Sequence, residues 1–155
     1  MSIYSGRVFY SDQLSRKEVQ DLWEKLFLEE SDSHGLRIVH NPEVILPVII
    51  EQIIQTGALF LTKDEDVPIG FLATTSGAYV GTPTCGMMVL GAYAESGYRE
   101  AGVLSSLFFA LRGFCRERGI ESVQFAVAEG NEKMGRLAEE HARIVGRVFE
   151  KRMLP

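Results

Sequence analysis

The period of apolar positions changes several times along the chain, and each change marks an element. Arg7 to Tyr10 is short, aromatic and β-branched, and lies between Ser5-Gly6 and Ser11-Asp12, which predicts a first strand. Val19, Leu22, Trp23, Leu26 and Phe27 then follow at helical spacing behind Ser15-Arg16-Lys17-Glu18. That tetrapeptide has the form of a capping box, a hydroxyl for the free amides and a carboxylate reaching back, so a helix is predicted to about Glu30. A second helix is predicted over Asn41–Gln55, with Asn41 as N-cap, Pro42 at the first helical position and Gly57 beyond the end. Pro47 removes a donor inside it, which predicts a kink or a later start.

From Ala58 the period becomes that of strands. Ala58–Thr62 and Val67–Thr74 flank the charged tip Lys63–Asp66 and read as a hairpin. Beyond the loop Gly81–Thr84, the nearly uncharged run Cys85–Tyr93 suits a central strand covered on both faces. Val103, Leu107, Ala110, Leu111 and Phe114 share one face of a long helix, widened by Leu104, Phe108 and Cys115. Arg116 and Arg118 stand near its C-terminus, which Gly119 closes. Ile120–Ala128 reads as a further strand, Asn131–His141 as a short helix with Met134, Leu137 and Ala138 inward, and Ile144–Met153 as a closing strand. The order β-α-α-β-β-β-α-β-α-β predicts an α/β (α+β) fold, a mixed, mainly antiparallel sheet flanked by helices, in one domain over residues 1–155.

Composition narrows the function classes. A formal charge of −5, with no basic run beyond Lys151-Arg152, lacks the footprint of a nucleic-acid binder. No segment is long and apolar enough to span a bilayer and the start has no leader pattern, so the expectation is a cytoplasmic protein without a membrane partner. Cys85 and Cys115, the only cysteines, have no metal-ligand spacing and read as reduced core residues, and no metal site is expected. The apolar closing strand offers an edge through which a homodimer could form.

Chemistry concentrates between the central strand and the long helix, at Tyr98-Arg99-Glu100-Ala101-Gly102-Val103-Leu104. The first amides of a helix have no intrahelical partners, the helix dipole favours negative charge, and Gly102 permits close approach, so a diphosphate is the expected guest. Arg99-x-x-Gly102-x resembles the pyrophosphate loop of the Gcn5-related N-acetyltransferases, GNAT for short, and the likeness runs from about Ala58 to Met153. It takes in the Ile69-Gly70-Phe71 strand, Leu107, the Val123–Val127 strand and Asn131. The resemblance implies acyl transfer from acetyl-CoA, or another acyl-CoA, to an amine of a small molecule or peptide. It implies that the backbone of Ala92, Tyr93 and Ala94 pairs with pantetheine and that the amides of Arg99, Glu100, Ala101, Gly102, Val103 and Leu104 hold the diphosphate. Asn131 would contact the pantetheine arm, or serve only as an N-cap.

The departures fall on the catalytic positions. Leu104 stands where the loop usually ends in Gly or Ala, Leu137-Ala138 replaces the Leu-Tyr pair whose Tyr protonates the thiolate, and His141-Ala142 replaces a Gly-Phe. Cys85–Ala92 carries no carboxylate to act as base, so no catalytic residue follows from the resemblance. Glu95, Tyr79, His34 and His40 are the titratable candidates, each with a plain structural reading, and His141 reads as a packing residue. Met87-Met88 is adaptable core filling or the border of an acyl chain. The alternatives to an enzyme are a catalytically silent CoA-binding or sensing domain and an interaction module that has lost the cofactor.

Overall fold

Two capping patterns overlap before the first helix, Asp12-x-x-Ser15 and Ser15-x-x-Glu18, and the first one wins. In the computed structural model, which describes residues 2–34, 41–77, 86–126 and 132–141, helix α1 spans Gln13–His34. The Ser15 amide donates to Asp12 Oδ1 at 3.2 Å and the Arg16 amide to the Asp12 carbonyl at 3.1 Å. This corrects the expected start at Ser15: a carboxylate three residues nearer the strand takes a free amide and winds the helix earlier. The bond to Ser15 also holds the Asp12 carboxyl below the usual carboxylate range.

Helix α2 spans Pro42–Thr56, with Pro47 inside it. Asn41 precedes it in the left-handed region (φ 59°) and makes no side-chain cap. Its carbonyl instead accepts the amides of Val44 (3.0 Å) and Ile45 (3.2 Å), so the expected Asn side-chain cap is replaced by a backbone one. The strands are β1 (Ile3–Val8), β2 (Gly57–Asp64), β3 (Val67–Gly77), β4 (Gly86–Ala94) and β5 (Val123–Phe125). They form one sheet in the order β1-β2-β3-β4-β5, antiparallel except for the parallel β4–β5 pair. A 3₁₀ turn, Ser96–Ala101, leads from β4 into helix α3, Val103–Arg118. The chain divides into two units, Met1–Phe125 and Ala126–Pro155, and within the second helix α4 spans Glu132–His141. The expected closing strand Ile144–Met153, and Asn131, Tyr79, His40 and Cys85, lie outside the described residues, as do the side chains of His34, Met134, Leu137, Ala138 and His141.

Alternation along the strands divides the core between the two faces of the sheet. Val19, Leu22 and Trp23 of α1 and Leu46, Ile50 and Ile53 of α2 pack on Leu59, Leu61, Phe71, Ala73 and Tyr93. Val103, Leu107, Leu111 and Cys115 of α3 pack on Ala58, Phe60, Ile69, Leu72, Met87 and Ala94. Phe71 and Leu72, neighbours in sequence, are both fully buried because each faces a different layer. Burying such a side chain contributes about 1.5–3 kcal/mol. In β4 the register slips: Ala73 faces Gly91 and Thr74 faces Val89, so Leu90 bulges. The extra residue exchanges the faces, which is why Met87 and Val89 but then Ala92 and Ala94 all meet α3.

A line of hydroxyls ties the first strand to this framework. Ser5 Oγ lies 2.7 Å from the buried Thr62 hydroxyl and 2.6 Å from Ser106 Oγ in α3. Gly70 sets how close α3 comes, since a Cβ there would lie 2.6 Å from Val103 Cγ1 and 2.8 Å from the Tyr93 carbonyl.

Candidate active site

Strands β4 and β5 are joined over a short ladder among the described residues. The parallel ladder joins Met87–Val89 to Val123–Phe125 and goes no further among the described residues, while β4 continues to Ala94 along β3. The Glu95 amide donates to the Ile69 carbonyl at 2.8 Å, and antiparallel pairing alternates, so Gly91 and Tyr93 also turn their polar groups toward β3. Ala92 and Ala94 then turn theirs away from β3. This corrects the expectation for Tyr93, whose backbone is committed to the sheet, and leaves Ala92 and Ala94 as the residues able to pair with an extended guest. The Ala94 carbonyl accepts Arg99 Nε at 3.1 Å.

The loop is likewise narrower than expected. Arg99, Glu100 and Ala101 lie in the 3₁₀ turn, whose pattern directs their amides at carbonyls three residues back, beginning with Tyr98 on Glu95 at 2.9 Å. Gly102 then adopts φ 76°, a left-handed conformation natural to glycine, and its carbonyl accepts the Ser106 amide at 2.9 Å. Val103, Leu104 and Ser105 are left as the amides that open α3 without a partner inside the helix and without a side-chain cap. Ser105 was not among the residues expected. A Cβ at Gly102 would meet nothing within 4 Å, so the approach is open, and Leu104 packs part-buried on the α3 layer of the core. Convergent amides at an uncapped helix start, beside an exposed glycine, suit the oxygens of a diphosphate.

Polar groups gather on the other side of β4, where the end of the strand meets α1. The Tyr93 hydroxyl donates to Glu29 Oε1 at 3.1 Å, and Glu95 Oε2 lies 3.4 Å from the same oxygen. Lys25 is paired with Glu95, and Arg99, its guanidinium 5.9 Å from the centre of the Tyr93 ring, is paired with Glu29. Burial, then the bond to Glu29, pushes the Tyr93 phenol well above its ordinary value, so it remains a donor at neutral pH. Of the titratable candidates, the structure therefore brings Glu95 to the end of β4. Lys25 and Glu29 escaped the sequence reading because they reach Glu95 and Arg99 across 70 residues of chain. Among the described residues no group of three or more His, Cys, Asp or Glu could hold a metal ion, and no helix is long and apolar enough to cross a membrane.

No protein-family model matches this sequence, and no curated protein does. Solved structures do match. The chain is similar to the aminoglycoside acetyltransferase AAC(6')-Iy in complex with a CoA-containing bisubstrate analogue, at TM-score 0.78 and 16% identity over 100% of both chains. It is also similar to a ribosomal-protein-alanine N-acetyltransferase from Brucella melitensis biovar Abortus 2308, at TM-score 0.69 and 13% identity over 99% of this chain and 100% of that one. The fold is that of the GNAT acetyltransferases. A possible acetyltransferase from Clostridium difficile 630, at TM-score 0.70 and 13% identity over the full length of both, shares it. With the GNAT fold in place, the mixed, mainly antiparallel sheet flanked by helices that was expected from the residues stands.

Proposed function

We propose that this chain is an acyl-CoA-dependent N-acyltransferase that transfers acetyl, or another short acyl group, to an amine of a small molecule or peptide. The observation that supports the reading is the conjunction along one stretch of chain: the outward backbone groups of Ala92 and Ala94 at the end of β4 and, after the 3₁₀ turn, amides at the start of α3 without a partner inside the helix. Two GNAT neighbours are described with CoA or a CoA conjugate, which supports the same class of co-substrate here.

In this reading the amides of Val103, Leu104 and Ser105 hold the diphosphate, and the outward polar groups of Ala92 and Ala94 align the extended arm. Acyl-CoA supplies the thioester whose acyl carbon the amine attacks. Positioning does much of the work, because thiolate leaves readily once an amine is held nearby. Glu95, which follows Ala94 directly and keeps its side chain 24% exposed, is placed to take the proton from the amine. Glu29 and Glu95, paired with Arg99 and Lys25, offer acceptor oxygens to the amine's N–H groups.

Thermal unfolding with CoA and acetyl-CoA, followed by turnover against a panel of amines, tests the reading. Either ligand, well above its dissociation constant, is expected to stabilise the fold by a few kcal/mol, about 2.7 at a hundredfold excess. Absence of any shift would remove the cofactor from the picture. Glu95→Gln is expected to lower turnover about a hundredfold with CoA binding retained. A second reading, a CoA-binding sensor without turnover, is favoured by Ala138 at the place of the thiolate-protonating Tyr, and a thermal shift without turnover of any amine would select it.

A further inference from the structure

A second polar cavity lies at the opposite end of α3 from the cofactor loop. It has a volume of ≈ 480 Å³, within the range of small-molecule sites, and all its lining residues belong to the unit Met1–Phe125. Arg7 enters it from β1 and Arg118 from the last turn of α3, and the two guanidinium carbons lie 4.7 Å and 5.3 Å from the centre of the Phe114 ring. Ile54, Met87 and Ile120 add apolar surface. Among the described residues the lining contains no carboxylate, in a chain whose net charge is −5.

Arg118 has an ordinary reason to be where it is, since a cation at a helix C-terminus complements the dipole. Arg7 has no such reason. Its Nε is buried without a hydrogen-bond partner, Phe60 stands opposite it on β2, and its guanidinium lies over the rings of Phe9 and Phe114. Removing an Arg nitrogen from water without an acceptor is costly, and a ring face returns only part of that cost. An acceptor of opposite charge would return more, because charge-assisted bonds to a guanidinium are among the strongest polar contacts.

We infer that this cavity binds a small organic anion, a carboxylate or phosphate carried on an apolar body, with the charged group on Arg7 and Arg118 and the body on Ile54 and Ile120. An inorganic ion would leave most of the cavity and its apolar lining unused. The inference is independent of the proposed acyl transfer, because the cavity shares no residue with the cofactor loop.

Calorimetric titration and thermal shift with phenylacetate, phenyl phosphate, phenylacetamide and inorganic phosphate decide it. Phenylacetate or phenyl phosphate is expected to bind and raise Tm, and the difference between them shows which charged group the site prefers. Phenylacetamide and inorganic phosphate are expected to do neither. Arg118→Gln, on an exposed side chain, and Arg7→Gln are each expected to weaken binding about tenfold or more, whereas Gly102→Ala leaves it unchanged. The inference is overturned by a lack of response to both organic anions, by equal binding of the neutral amide or of inorganic phosphate, by undiminished binding in both Arg variants, or by loss of binding in Gly102→Ala.

Discussion

Helix α3 ends in a left-handed glycine on both sides, Gly102 at φ 76° and Gly119 at φ 67°, and a Cβ at either would meet nothing within 4 Å. The surroundings nevertheless differ. Before the helix the free groups are backbone amides, and the loop cation Arg99 is already bound to Glu29. After the helix the backbone closes on itself, with the Gly119 amide reaching the Arg116 carbonyl at 3.4 Å and the Ile120 amide the Cys115 carbonyl at 2.8 Å. The free groups there are the side chains of Arg7 and Arg118. Two glycines of equal geometry thus serve different ends: one leads into amides without a partner inside the helix, the other commits its amide to finishing the helix.

The largest effect that would separate the two ends is expected from Gly70→Val. The new side chain collides with Val103 Cγ1 and the Tyr93 carbonyl, at the N-terminal end only, and overpacking of this kind costs about 3 kcal/mol or more. Urea denaturation measures the loss, and CoA binding is expected to fall with it because the opening turn of α3 is pushed off the sheet. Unchanged stability would mean that Gly70 does not set the height of α3.

A finer contrast comes from Gly102→Ala and Gly119→Ala measured side by side. Both force a side chain into the left-handed region, so both are expected to lose about 1–2 kcal/mol by denaturation. Only Gly102→Ala is expected to weaken CoA binding. Equal weakening in the two variants would show that helix stability, and not access to the amides, governs the cofactor.

The smallest effect concerns Cys115, one turn before Gly119. Burial raises its thiol above the ordinary value, so labelling at neutral pH, read peptide by peptide, is expected to be slow. Gly119→Ala is expected to speed it severalfold by loosening the last turn, and Gly102→Ala to leave it alone.

Much of the framework was legible because it is written in local pattern. The hairpin, the α3 boundaries at Val103 and Gly119, and the β-α-α-β-β-β-α-β-α order all follow from periodicity and turn residues, and the described elements agree with them. The start of α1 was misplaced because Asp12 and Ser15 both offer a cap, and choosing between them depends on how the chain leaves β1. The roles within the site were less legible. The commitment of the Tyr93 backbone to the sheet depends on the register with β3, and the bulge at Leu90 exists only in relation to Ala73 and Thr74 on the neighbouring strand. The pairs Lys25–Glu95 and Arg99–Glu29 and the placing of Arg7 on Phe114 are equally tertiary. What short-range spacing encodes was read, and what only packing brings together was not.

The hydroxyl link from Ser5 through Thr62 and Ser106 bears on how the protein is made. Ser5 leaves the ribosome before its partners, which stand 57 and 101 residues later in the chain. During synthesis β1 can pair with β2 but must wait for α3 to complete the link, which closes a loop of 101 residues. Pairings so distant in sequence form slowly, so β1 is expected to lock fully only after α3 has been made and to stay open to capture by a chaperone until then.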